Sequence, residues 1–138
     1  MNLSNAVVFD FDGTLIDSTG LKRQAFLDVV SDKNLMAEVL ALNPGTRFEI
    51  FQQYLSVRNA RASAEIKLER AELDLLLKKY SDAVMSVMPE VCFMDGAIDF
   101  LCECRAYGFI LCLSSATPQD DLLTTVKMKQ LHQFFSLV

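Results

Sequence analysis

Residues 7–18, VVFDFDGTLIDS, set Asp10 and Asp12 two positions apart at the end of an apolar run, with Gly13 and Thr14 directly after them. In a chain that stays extended, residues i and i+2 share one side, so the two carboxylates converge. Paired carboxylates suit covalent phosphoryl transfer, in which one attacks phosphorus and the other carries protons to the leaving oxygen and from water. Gly13 permits a tight turn, while Thr14 and the N–H groups around it offer donors to phosphate oxygens. A hard cation such as Mg²⁺ would offset the charge of a carboxylate facing a phosphate.

Two other readings compete. An EF-hand loop also spaces acids by two, but it takes its glycine at the sixth position after a helix, whereas here glycine is fourth after a strand. A structural turn tolerates Asp-Gly, yet it gives no reason for Asp10 to end an apolar strand, where an unpaired charge is costly.

The surrounding pattern supplies the elements that must position these acids. AVVFDF is a short β-branched run that reads as a strand covered on both faces. Helical spacing follows, with Leu21, Ala25, Phe26, Val29 and Val30 on one face, then Met36, Val39 and Leu40, before NPG at 43–45 breaks the run. Thr46 and Glu49 form a capping box for a helix whose apolar face is Phe48, Phe51 and Leu55. From about Ala62 to Met88, a stripe of Ile66, Leu73, Leu76, Leu77, Tyr80, Val84 and Val87 predicts a long amphipathic helix ended by Pro89. MDGAIDFLCECRAYG is another helix, entered at Asp95 and closed by Gly108. FILCL at 109–113 is a second buried strand, and a further helix has Thr117 as N-cap and Pro118 in its first turn.

The expected fold is therefore α/β, a Rossmann-like parallel-sheet core with a helical subdomain inserted after the first strand. The boundaries predicted are 1–18 and 91–138 for a discontinuous core and 19–90 for the helical insert, or cap. Ligands of open α/β sheets bind at the carboxyl ends of the strands, where Asp10 and Asp12 lie.

Composition excludes several classes. The chain has 138 residues, 51% apolar, with 13 basic and 18 acidic side chains and net charge −5, and no basic cluster suited to nucleic acid. No apolar run reaches the roughly 18 residues of a membrane span, and the N-terminus has no signal-peptide pattern, so a soluble cytoplasmic protein is expected. Cys92, Cys102, Cys104 and Cys112 lack zinc spacing and read as reduced core residues, with a disulfide the alternative. His132 reads as a packed or surface residue.

DFDGTL, followed by a helical insert, a strand and serines, resembles the haloacid dehalogenase-like hydrolases. The resemblance extends to members with a cap after the first motif and to the phosphoglycolate-phosphatase-like branch in particular. It implies Asp10 as nucleophile, Asp12 as general acid/base, and Mg²⁺ held by the Asp10 side chain and the Asp12 backbone carbonyl. Haloacid dehalogenases proper lack the second acid, so Asp12 implies phosphate-ester chemistry. FILCLSSATP is similar to the second motif and offers Ser114, with Ser115 as alternative, to the phosphoryl group beside Gly13 and Thr14. NPGTRFEIF is similar to a cap-loop pattern and makes Arg47 a substrate-contact candidate.

The family's third motif, a phosphate-binding Lys, and its fourth, acidic metal ligands, find no match in these 138 residues. Lys127 and Lys129 fall inside the last predicted helix and read as surface residues, and FFSLV stands about where the next strand would begin. The resemblance thus implies a Mg²⁺-dependent phosphomonoester hydrolase of a small phosphorylated metabolite, C-terminally truncated and crippled as it stands. The alternatives are a phosphomutase in the complete form and an incompetent fragment serving as a binding module. An exposed sheet edge, with Val7, Val8 and Phe9 on it, predicts self-association.

Overall fold

β1 (Ala6–Asp10) and β2 (Ile110–Ser114) are parallel neighbours in register, from Ala6 opposite Ile110 to Asp10 opposite Ser114. The computed structural model that shows this describes residues 5–42, 45–62 and 70–138. They fall into two units, Met1–Gly20 with Met85–Val138, and Leu21–Val84.

The first unit is the α/β one. Phe9 is buried with its ring edge-on to Phe100 at 5.9 Å and Phe135 at 6.1 Å, and Leu111 and Leu113 are buried in β2. Helix α5 (Ala97–Ala106) buries Ala97, Leu101 and Cys104, and α6 (Gln119–Met128) buries Leu122, Thr125 and Val126. Gly108, at φ 81°, ends α5 with its N–H on the Arg105 carbonyl, so the chain can turn into β2. The terminal residues begin another parallel pairing on β2: Ser136 N–H donates to Leu111, and Leu113 N–H donates to Leu137, both at 2.9 Å. The expected start of a strand near FFSLV is met there.

β1 is not covered on both faces. Val8 is 66% exposed, whereas Phe9 is buried. Handedness gives the reason: right-handed crossovers that step along a sheet in one direction lay their helices on one face. From β1 to β2 to the terminal pairing the chain steps one way, so the face of Val8 is open among the described residues.

The second unit holds most of α1 (Thr19–Asp28), all of α2 (Lys33–Ala41) and α3 (Arg47–Arg61), and most of α4 (Arg70–Val87). Asp32 caps α2 by accepting the Leu35 N–H at 2.9 Å. The Thr46 and Glu49 capping box is formed in both directions, and its hydrogen bonds hold the Glu49 carboxyl below the ordinary glutamate range. Phe26, Phe51 and Tyr80 pack as a ring cluster with centroids 4.3–5.9 Å apart, contacts worth about 0.5–1.5 kcal/mol each beyond area burial. Arg58 spans α3 and α4 by donating to both Glu72 oxygens at 2.6 and 2.8 Å.

Several expectations fail in detail. Phe48 is 47% exposed, because α3 turns Ile50, Phe51, Tyr54 and Leu55 inward instead. Val87 is exposed at the end of α4, while Leu73, Leu76, Tyr80 and Val84 form the buried stripe. Residues 43–44 and the Ile66 end of the long predicted helix lie outside the described residues. All four cysteines are free thiols, but only Cys104 is buried; Cys112 is half-buried, and Cys92 and Cys102 are exposed. His132 is exposed in a single 3₁₀ turn, in keeping with its bland reading. No described helix is long and apolar enough to cross a membrane.

Candidate active site

The last residues of β1 and β2 bring Asp10 and Ser114 side by side, both exposed at the carboxyl end of the strand pair. The Asp10 carboxylate makes no ion pair or hydrogen bond among the described residues. A carboxylate displayed this way is available to an incoming electrophile.

Beyond Asp10 the chain folds back tightly. The buried Phe11 carbonyl accepts the Thr14, Leu15 and Ile16 N–H groups at 3.4, 2.9 and 3.3 Å, and Gly13 N–H donates to Ile16 at 2.8 Å. Gly13 has φ 72°, and a β-carbon there would stand 2.8 Å from Thr19 Oγ1, so both backbone and space favour glycine. These inward bonds occupy the N–H groups around Thr14 that the sequence offered to phosphate. The exposed Thr14 hydroxyl is what that turn presents instead.

Asp12, half-buried, is where three segments meet. Its Oδ1 accepts Ser18 Oγ at 2.6 Å, and its Oδ2 accepts Thr117 Oγ1 at 2.9 Å, with Ser115 Oγ at a long 3.5 Å. Ser18 is fully buried, so its hydroxyl is held to this partner. Thr117 N–H in turn donates to Ser115 Oγ at 3.0 Å, fixing that hydroxyl. The Asp12–Ile16 bridge is made by the Phe11 carbonyl and the Gly13 N–H, so this ladder does not consume the Asp12 carbonyl.

Ser18 and Thr117 were not singled out as site residues from sequence. Thr117 was expected to cap the last helix; Pro118 takes the N-cap position instead, and the Thr117 hydroxyl turns to Asp12. Arg47 belongs to the helical unit, where its guanidinium donates to Ser81 Oγ at 2.9 Å and lies 5.8 Å from the Tyr80 ring centre. Lys129 is a further correction. Rather than a surface residue it is half-buried, its Nζ donating to the Pro89 and Val91 carbonyls, while Lys127 is exposed.

The donors that the resemblance assigns to Mg²⁺, the Asp10 carboxylate and the Asp12 carbonyl, would both be hard oxygen, the chemistry that ion prefers. No cluster of three or more His, Cys, Asp or Glu occurs among the described residues.

The model of the haloacid dehalogenase-like hydrolase family matches residues 7–138. No curated protein sequence matches significantly. Among solved structures, a predicted phosphoglycolate phosphatase from Haemophilus somnus 129pt is similar at TM-score 0.73 and 16% identity, over 99% of this chain and 62% of that one. CbbY from Rhodobacter sphaeroides, solved with phosphate, is similar at TM-score 0.66 and 17% identity, over 96% and 61%. A Thermotoga maritima protein carrying the name beta-phosphoglucomutase gives 0.66 and 21%, over 96% and 59%. At these identities the likeness is one of fold, and the chain spans about three-fifths of the length of each structure.

Proposed function

The chain belongs to the haloacid dehalogenase-like hydrolase family, and from that membership we propose that its site is built for Mg²⁺-dependent hydrolysis of a small phosphorylated metabolite through an aspartyl-phosphate on Asp10. An Asp10 oxygen attacks phosphorus as the ester bond breaks, and Asp12 gives its proton to the leaving alkoxide. Asp12, now a carboxylate, takes a proton from water, whose oxygen attacks the acyl phosphate. Inorganic phosphate leaves and Asp10 is restored.

The observation that carries this reading is the contrast between the two acids. Asp10 is exposed beside Ser114 and unengaged among the described residues, as a nucleophile needs, while Asp12 is seated among hydroxyls, as a proton carrier needs. Ser114 and the Thr14 hydroxyl are the proposed donors to the phosphoryl oxygens, with Ser115 positioned more toward Asp12. Gly13 contributes by shaping the turn. The Asp10 carboxylate and Asp12 carbonyl would hold Mg²⁺, which supplies positive charge against carboxylate and phosphate. Arg47 stays a substrate-contact candidate from the helical unit.

The division at residues 18/19 and 90/91 into core and cap is part of the same proposal, as is cytoplasmic residence, which four free thiols favour. A phosphomutase is the second reading, supported by fold likeness to the Thermotoga protein.

Beryllofluoride with Mg²⁺ tests the chemistry. A ¹⁹F resonance from an adduct on Asp10, lost in Asp10→Asn, is expected. An adduct on another residue, or one that survives in the variant, overturns the assignment.

A further inference from the structure

Helix α6 touches the Asp12 arrangement from both of its ends. At its start, Thr117 donates directly to Asp12 Oδ2. At its end, about 15 Å away along the axis, Lys129 Nζ donates to the carbonyls of Pro89 at 2.8 Å and Val91 at 2.5 Å, and lies 5.9 Å from the Phe93 ring centre. One turn earlier on the same face, Thr125 Oγ1 reaches Met85 Sδ at 3.7 Å. One helix face thus holds both the last turn of α4, through Thr125, and the return link after it, through Lys129.

That link is zipped to the outgoing one. Phe93 bridges Ile16 antiparallel, Asp17 N–H donates to the Cys92 carbonyl at 2.9 Å, and Met94 N–H donates to the Leu15 carbonyl at 3.0 Å. The outgoing link ends at Ser18, whose buried hydroxyl holds Asp12 Oδ1. A continuous set of contacts therefore runs from Lys129 through Pro89–Phe93 and Ile16–Ser18 to the carboxylate.

We propose that Lys129 is a positioning residue for Asp12: its ammonium pins the return link, the return link sets the outgoing one, and Ser18 on the outgoing link sets one oxygen of the carboxylate. An ammonium shared by two carbonyls is a charge-assisted contact with little freedom, and among the described residues neither carbonyl has a strand partner to hold it otherwise. The catalytic meaning of this rests on the reading of Asp12 as proton carrier; the mechanical claim does not.

The test is NMR on the whole chain. Lys129→Met keeps the apolar stem and removes the donors. It is expected to speed amide exchange at Asp17 and Met94 by about tenfold, and to move the Asp12 side-chain carboxyl resonance in the direction that Ser18→Ala moves it. Leu113 N–H, in the sheet, should keep its protection, and Lys129→Arg should restore all three readouts. An Asp12 resonance unmoved in Lys129→Met confines Lys129 to its own link and overturns the proposal. Loss of Leu113 protection overturns it equally, since Lys129 would then merely stabilise the unit. No readout involves turnover, so a missing Asp10 adduct would sink the proposed reaction while leaving this result standing.

Discussion

Thr117 Oγ1 donates to Asp12 Oδ2 across 2.9 Å although 105 residues separate them, and this bond joins the loop after β2 to the loop after β1. The two strand ends are thereby held as one surface. Thr117→Val keeps the shape and removes the hydroxyl from a partly buried carboxylate. It should lower stability by about 1–2 kcal/mol, read as a fall in the urea midpoint. A change under about 0.5 kcal/mol would show that water replaces the hydroxyl without loss.

What the sequence made legible was local. The β-branched run ending in Asp10, the FILCL strand and the Thr46–Glu49 box each depend on neighbours within a few positions, and each appears where expected. What escaped depended on partners far along the chain. Thr117 is three residues past a strand and just before a helix, so a cap was the local expectation; its partner on β1's loop has no trace nearby. Lys129, on a polar helix face, looks solvated until its stem is seen to reach back to Pro89 and Val91. Val8 has the same hydrophobicity as a core strand residue, and only the direction of the crossovers decides that its face is open.

Within the helical unit, the Arg58–Glu72 fork predicts a specific acid response. The hydrogen bond from Arg58 holds the Glu72 carboxyl below the ordinary glutamate range. A carboxyl whose folded pKa lies below its unfolded one adds stability above the unfolded value and loses it as pH falls through the folded value. The contribution is therefore complete near pH 7 and fades as pH falls below the ordinary glutamate range. With side chains 31% and 38% exposed, it is limited to about 0.5 kcal/mol. Glu72→Gln should cost that much at pH 7 and almost nothing at pH 3. Equal destabilisation at both pH values would assign the loss to packing.

The open side of β1 predicts self-association. β1 has one strand partner among the described residues, and Val8 is 66% exposed on the uncovered face. An apolar strand edge of this kind pairs with other chains unless it is charged or covered. Sedimentation of the 138 residues should show mass rising with concentration, and Val8→Lys should return the chain toward monomer. A concentration-independent monomer in the unaltered chain would mean that this face is protected in solution.

Catalytic competence is the last expectation. Asp10 and Ser114 are in register and Asp12 is seated, but the positions that the family resemblance assigns to a phosphate-binding Lys and to further metal acids have no match in these 138 residues. Lys129 cannot substitute, since its ammonium is committed to Pro89 and Val91. Each preorganised electrostatic contact of this type is worth on the order of 10²–10³ in rate. Two together should account for roughly 10⁴ or more, although groups that act as a unit do not combine simply. Mg²⁺ should also bind weakly, because one carboxylate and one carbonyl leave most of its octahedron to water and substrate. The 138 residues alone are therefore expected to hydrolyse p-nitrophenyl phosphate no faster than background with Mg²⁺ present, even where beryllofluoride still marks Asp10. Robust turnover that disappears in Asp10→Asn would show that a second copy or another residue supplies the missing charge, and the site would have to be redrawn around that group.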